Sequence, residues 1–245
     1  MKNNFVEKIF VYKNQTVPYL VYNKPFQKSS TVRIRKGQII IVLGQYANAN
    51  IENSLLLKVV DKYLSANELY FNIKNSSFVL FNKKVFYQIY SNMQFTTIEL
   101  IDSNNLEKIT TLNLFNINKL TKENNSNLFY KSIELKINNY IKEQLKYKIN
   151  IFQKEIALFY DTFNPEFSLY NKDRTWGINY LTKKKIYYNF KLYIFDDETL
   201  KCVIAHEIVH NFIPSHSKKF YLEVKKYCPN YKQSQLKMSK MNLFE

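Results

Sequence analysis

The sequence predicts an α+β fold, with a β-rich N-terminal region over residues 1–127 and a mainly helical C-terminal domain with a short sheet over 128–245. Three observations carry this. Runs of β-branched and aromatic residues broken by turn residues fill the first half. The segment TKENNSN (121–127) is wholly polar and reads as a loop. Beyond it the apolar positions switch to helical spacing.

Taken in order, TVRIRKGQIIIVL (31–43) reads as two short strands meeting at Lys36-Gly37, where glycine permits the positive φ of a tight hairpin. IENSLLLKVVDKYL (51–64) reads as a helix, with Leu56, Val59, Val60 and Leu64 at helical spacing. A second β-rich stretch runs from about 68 to 118, including a hairpin in FVLFNKKVFYQIY expected to turn at Asn82-Lys83. Helix is predicted over 128–148, with Tyr130, Ile133, Ile137, Tyr140, Ile141 and Leu145 on one stripe. A second short helix follows, then a turn bracketed by Pro165 and Asp173, then strands near 175–181 and 185–194. Asp196 or Asp197 can cap the helix DETLKCVIAHEIVHNF, Pro214 ends it, and Ser217 can cap a last helix over 218–228.

With 46% hydrophobic and 16% aromatic residues, the 245-residue chain has enough apolar surface to fold around a substantial core. The formal charge of +16 admits a nucleic-acid partner. It gives that partner little support, because the only arginines are Arg33, Arg35 and Arg174 and the excess is lysine, as an AT-rich coding bias would produce. Two cysteines, Cys202 and Cys228, make no disulfide framework. Neither a signal peptide nor a membrane span is legible, so a cytoplasmic protein without a membrane partner is expected. Nothing in the pattern sets an oligomeric state.

All three histidines lie within HEIVHNFIPSH (206–216). His206 and His210, four apart on a helix, present both imidazoles to one ion. Glu207 sits too far round to join them but can reach a water on the ion. A catalytic zinc wants three protein ligands and an open position, and His216 follows where Pro214 turns the chain back. The expectation is a Zn2+ hydrolase in which Glu207 is the base toward a zinc-bound water attacking a carbonyl. Hydrolysis of another bond, such as a nucleotide phosphoanhydride, is an alternative, since zinc-bound hydroxide also attacks phosphorus. A non-catalytic, nucleic-acid-associated zinc protein is a third reading. The histidine spacing equals that of metzincins, but Ile213 stands where those need glycine.

With these residues in view, the chain resembles the YgjP-like zinc metallopeptidases, relatives of the SprT-type proteases. The resemblance rests on HEIVHNFIPSHSKKFYLEVKKYCPNY (206–231), on Trp176-Gly177, and on Tyr188-Asn189 in the place of a Leu-Asn pair. The β units at 31–43 and 78–90 also look like the family's N-terminal half. It implies a small zincin-like catalytic domain acting on peptides or proteins, with His206, His210 and His216 as metal ligands and Glu207 as base. Trp176, Asn189 and Tyr231 are the further candidates: Trp176 as a packing anchor or substrate contact, Asn189 as a bond to substrate backbone or to a loop, and Tyr231 as an oxyanion donor. The family's Trp-Gly-Ser-Cys departs here to Trp176-Gly177-Ile178-Asn179, and its arginine-rich tail to Lys232, Gln233 and later lysines.

Overall fold

A computed structural model of the chain describes residues 5–35, 38–69, 71, 73, 77–91, 95–115, 126–171 and 175–241. The architecture is α+β, in two compact units: residues Met1–Asn67 with Met238–Glu245, and residues Glu68–Lys237.

In the first unit, β1 (Phe5–Tyr12), β2 (Gln15–Asn23), β3 (Thr31–Arg35) and β4 (Gln38–Leu43) form one sheet in the order β1-β2-β4-β3. The β1–β2 turn places Lys13 and Asn14 at φ 47° and 62°, the double left-handed geometry that matches strand twist in two-residue hairpins. Strands β3 and β4 pair antiparallel as expected, while their turn at Lys36-Gly37 lies outside the described residues. Helix α1 (Ala49–Leu69) outruns its predicted span at both ends. Leu56, Val60 and Tyr63 are buried on it, and Val17, Tyr19, Val21, Ile39 and Ile41 on the sheet. The buried Glu52 is satisfied by Tyr19 Oη at 2.7 Å and Lys8 Nζ at 3.0 Å, which answers the cost of an interior carboxylate.

The second unit opens with an antiparallel meander, β5 (Ser77–Leu80), β6 (Lys83–Ser91), β7 (Phe95–Asp102) and β8 (Lys108–Phe115). Its first hairpin turns at Phe81-Asn82, one residue earlier than expected, because these two take positive φ and Lys83 already pairs with Leu80. The segment 121–125 lies outside the described residues, and Ser126 and Asn127 already belong to α2 (Ser126–Phe159).

That helix corrects the sequence reading, which placed two helices here. No glycine or proline interrupts 148–159, and the apolar stripe simply continues: Ile133, Ile137, Ile141, Leu145, Ile149 and Ile156 are all fully buried. Tyr130 falls off the stripe and is exposed. The helix ends where Asp161 takes φ 48°, with Asp161 N–H donating to Leu158 O and Thr162 N–H to Ala157 O.

Next come β9 (Glu166–Tyr170), read before only as part of a turn, β10 (Gly177–Tyr180) and β11 (Lys185–Asn189), in the order β10-β11-β9. The predicted strand over 185–194 is only half strand; Phe190–Ile194 winds into a 3-10 turn capped by Asn189. Gln153 occupies the next position of the α2 stripe. Its amide donates to Asn164 Oδ1 and Pro165 O, both at 2.7 Å, and accepts from the buried Tyr188 at 2.9 Å. One interior side chain thus ties α2 to the entrance of β9 and to β11.

Three helices close the unit: α3 (Asp197–Val209), α4 (Lys218–Tyr227) and α5 (Tyr231–Met241), the last not anticipated from the sequence. Leu200, Cys202, Val203, Ile204, Ala205, Ile208 and Val209 are all buried, so α3 is apolar nearly all round and runs through the core. No helix among the described residues is long and apolar enough to cross a membrane.

Candidate metal centre

Helix α3 starts under Asp196, whose Oδ1 accepts from Thr199 N–H at 2.7 Å, and its last residues carry the chemistry. Asn211 N–H donates to Ile208 O and Ile213 N–H to Val209 O, so the chain leaves the helix in a tight turn before Pro214. Ser217 then starts α4, its Oγ accepting from Phe220 N–H at 3.3 Å. This return brings His216 over the end of α3.

The three Nε2 atoms converge. His216 Nε2 lies 3.1 Å from His206 Nε2 and 3.2 Å from His210 Nε2. Nitrogens bound tetrahedrally at about 2.0–2.1 Å from a common ion would stand roughly 3.3 Å apart, so both His216 distances suit a shared small divalent metal, and the ligand nitrogens of all three lie within 4.8 Å of one another. No other group of three histidine, cysteine or acidic side chains among the described residues has this arrangement. Two rings are held from behind. His210 Nδ1 faces Ile213 O at 3.1 Å; a carbonyl only accepts, so this nitrogen carries the proton and Nε2 keeps its lone pair. His206 Nδ1 meets Tyr231 Oη at 2.7 Å. Phe220, fully buried, packs its ring against all three imidazoles at 4.8, 4.5 and 5.0 Å.

Electrostatics favour the ligand forms. Burial, then the neighbouring His210 and His216, lowers His206 to about 3, and burial lowers His210 as well. Both are neutral imidazoles at neutral pH. Glu207 is 4% exposed, and burial raises its carboxyl to about 8 against a backbone hydrogen bond from Asn179.

Glu207 is positioned by β10. A Cβ on Gly177 would stand 2.5 Å from Glu207 Oε1, so the carboxyl lies directly on a glycine. Asn179, two residues on, donates from Nδ2 to Glu207 O at 2.7 Å and to Asn211 Oδ1 at 2.9 Å. Asn211 in turn donates to Phe163 O at 3.0 Å. Gly177, Ile178, Asn179 and Leu181 line one wall of a cleft of ≈ 270 Å³; His206, Glu207, His210, Pro214 and His216 line the rest.

The other sequence candidates lie at or near this centre in different ways. Tyr231, 4% exposed, stands behind His206, and burial followed by the nearby Tyr221 raises its phenol. Asn189 is buried; its Nδ2 donates to Thr175 O at 2.9 Å, its Oδ1 accepts from Lys191 N–H at 3.0 Å, and its N–H donates to Trp176 O. It therefore bonds the loop that leads into β10. Trp176 packs edge-on against Phe195 at 5.0 Å, its buried Nε1 without a hydrogen-bond partner among the described residues. Sequence reasoning missed the support given by Phe220, Asn179 and Asn211, whose neighbours lie on other elements, and the steric reason for Gly177. Cys202 and Cys228 are free and buried.

No curated protein matches the chain. The family model described as YgjP-like, metallopeptidase domain, matches residues 75–241, a span that leaves out the 31–43 hairpin. Because that match covers about two thirds of the chain, from the approach to β5 to the end of α5, and takes in the whole histidine centre, the chain belongs to the YgjP-like metallopeptidase domain family, a family of metal-dependent hydrolases.

Proposed function

We propose that this protein is a zinc-dependent peptidase in which His206, His210 and His216 hold the ion and Glu207 is the general base. The observation that carries the reading is the meeting of three Nε2 atoms in one cleft with a buried carboxyl. Three imidazoles are a donor set suited to zinc in a catalytic site, where a fourth position stays open. When bound, zinc supplies Lewis acidity, making water deprotonable near neutral pH and polarising the carbonyl to be cut.

Everything else is the work of the chain. Burial raises the Glu207 carboxyl to about 8 against a backbone hydrogen bond from Asn179, and a cation held by the histidines would favour its ionised form, which can accept a proton from water. The same burial makes it a competent acid afterwards, passing that proton to the departing amine nitrogen. The contact with Gly177 keeps the carboxyl from swinging away. With Nε2 turned to a metal, His206 Nδ1 would carry the proton and donate it to Tyr231 Oη, which holds the ring in that orientation. The substrate is a peptide or an exposed protein segment, laid against the cleft wall formed by β10.

Elemental analysis and peptide turnover on wild type and Glu207→Gln test this together. About one zinc per chain in both proteins, with turnover at least roughly 100-fold lower in the variant, is the expected result. Wild-type protein that takes up no zinc overturns the reading, and so does a variant that cleaves as fast as wild type.

A further inference from the structure

We propose that a second pocket, lined by tyrosines on the far face of β10, is a specificity subsite that takes an aromatic side chain of the bound peptide; this rests on the peptidase reading above. Strand β10 is the edge of its three-stranded sheet. Its residues alternate between two faces. Gly177 and Asn179 turn toward α3, one against the Glu207 carboxyl and the other bonded to its carbonyl. Ile178 and Tyr180 turn the opposite way. There Tyr187 lies directly across from Ile178 in the β10–β11 register. Tyr180 meets Tyr187 edge-on at 5.5 Å, and Tyr170 on β9 meets it edge-on at 6.4 Å. These side chains and Lys183 enclose a pocket of ≈ 250 Å³.

Ile178 lines this pocket and the metal cleft alike, so one residue of β10 borders both. A peptide extended along the free edge of β10 sends alternate side chains to opposite faces of the sheet. With its cleaved bond over the histidines, it therefore offers a nearby side chain to the tyrosines. Three aromatic rings and an isoleucine suit another ring, which gains edge-to-face contacts that an aliphatic chain does not. Lys183, with its ammonium 5.7 Å from the Tyr180 ring, disfavours lysine or arginine in the same place. Tyr180 is 41% exposed, so it is not merely core packing.

The test measures binding, independently of turnover. Short capped peptides of alanine and glutamine, with a single phenylalanine moved along the chain, are titrated against zinc-loaded, full-length Glu207→Gln protein by fluorescence anisotropy. At one position phenylalanine is expected to bind about five- to tenfold tighter than alanine. Adding Tyr187→Ala or Tyr180→Ala should erase that gap, while Tyr187→Phe keeps it, with zinc content unchanged throughout. No gap at any position overturns the proposal, as does a gap that survives both alanine variants. Tyr187→Ala weakening an oligothymidylate probe while leaving the peptide gap intact also overturns it, and assigns the pocket to stacked bases. Wild type that shows the gap but never cuts the peptide leaves the subsite standing and refutes the peptidase reading instead.

Discussion

The three histidines are not held alike. His206 and His210 ride on a helix buried nearly all round, and each is gripped at Nδ1, by Tyr231 Oη and by Ile213 O. His216 stands on the loop between α3 and α4, is exposed, and makes no Nδ1 hydrogen bond among the described residues. It touches the others through Nε2 and rests against Phe220 and Tyr221. Helix spacing and rigid backing thus pre-form two thirds of the centre. The remaining third depends on a short connection shaped by Pro214 and the Ser217 cap. The helical pair can be aimed by the fold alone, whereas the loop ligand gains most from the ion.

The sharpest way to break this contrast is to remove one ligand from each half. His216→Ala should cut zinc affinity by more than the roughly 10–100-fold that loss of an outer partner costs, yet leave the melting temperature of the metal-free protein within about 1–2 °C. His206→Ala should cut affinity as deeply and also lower that melting temperature, because a largely buried ring packed on Phe220 is lost. Competition titration with a chelator and thermal melts of metal-free protein read both; equal melting shifts would erase the distinction.

A milder change sharpens it. Tyr231→Phe deletes only the hydroxyl behind His206 and should weaken zinc binding by about 10–100-fold while the chain stays folded. An unchanged affinity would mean that the helix alone orients the ring.

The smallest effect belongs at the other end of the same helix. Asp196→Ala should cost about 1 kcal/mol of stability in a denaturant titration and leave zinc affinity as it was. Burial raises the Asp196 carboxyl, but Lys237 at 2.7 Å and Thr199 outweigh it, so the folded value lies below the ordinary one. Its contribution is then complete above the usual aspartate range and disappears as pH falls through the lowered value. The variant should therefore approach wild type in stability only in acid.

What was legible in the sequence was local. The i, i+4 histidines and the caps at Asp196 and Ser217 each act within a few residues, and each is found where the spacing put it, whereas α3 ends at Val209, short of the Phe212 that a stop at Pro214 alone predicts. Long-range features were not legible. Gln153 reads as a polar interruption of a stripe until Asn164, Pro165 and Tyr188 are seen around it. Strand β9 is short, follows a proline, and exists because it pairs in parallel with β11. The Asn179–Asn211 bridge joins residues 32 apart and has no periodic signature.

The contact between Gly177 and Glu207 has a consequence for mutational scanning. The whole chain has three glycines, and Gly44 and Gly177 are the two among the described residues. At each, an added Cβ would come within 2.5 Å of another atom: Gln27 O at Gly44, Glu207 Oε1 at Gly177. In so glycine-poor a chain the residue works as a steric marker, and glycine-to-alanine exchange becomes a probe of crowding rather than of backbone freedom. At Gly44 the obstacle is backbone, so the exchange should register in folding. At Gly177 the obstacle is the functional carboxyl, so it should register in turnover.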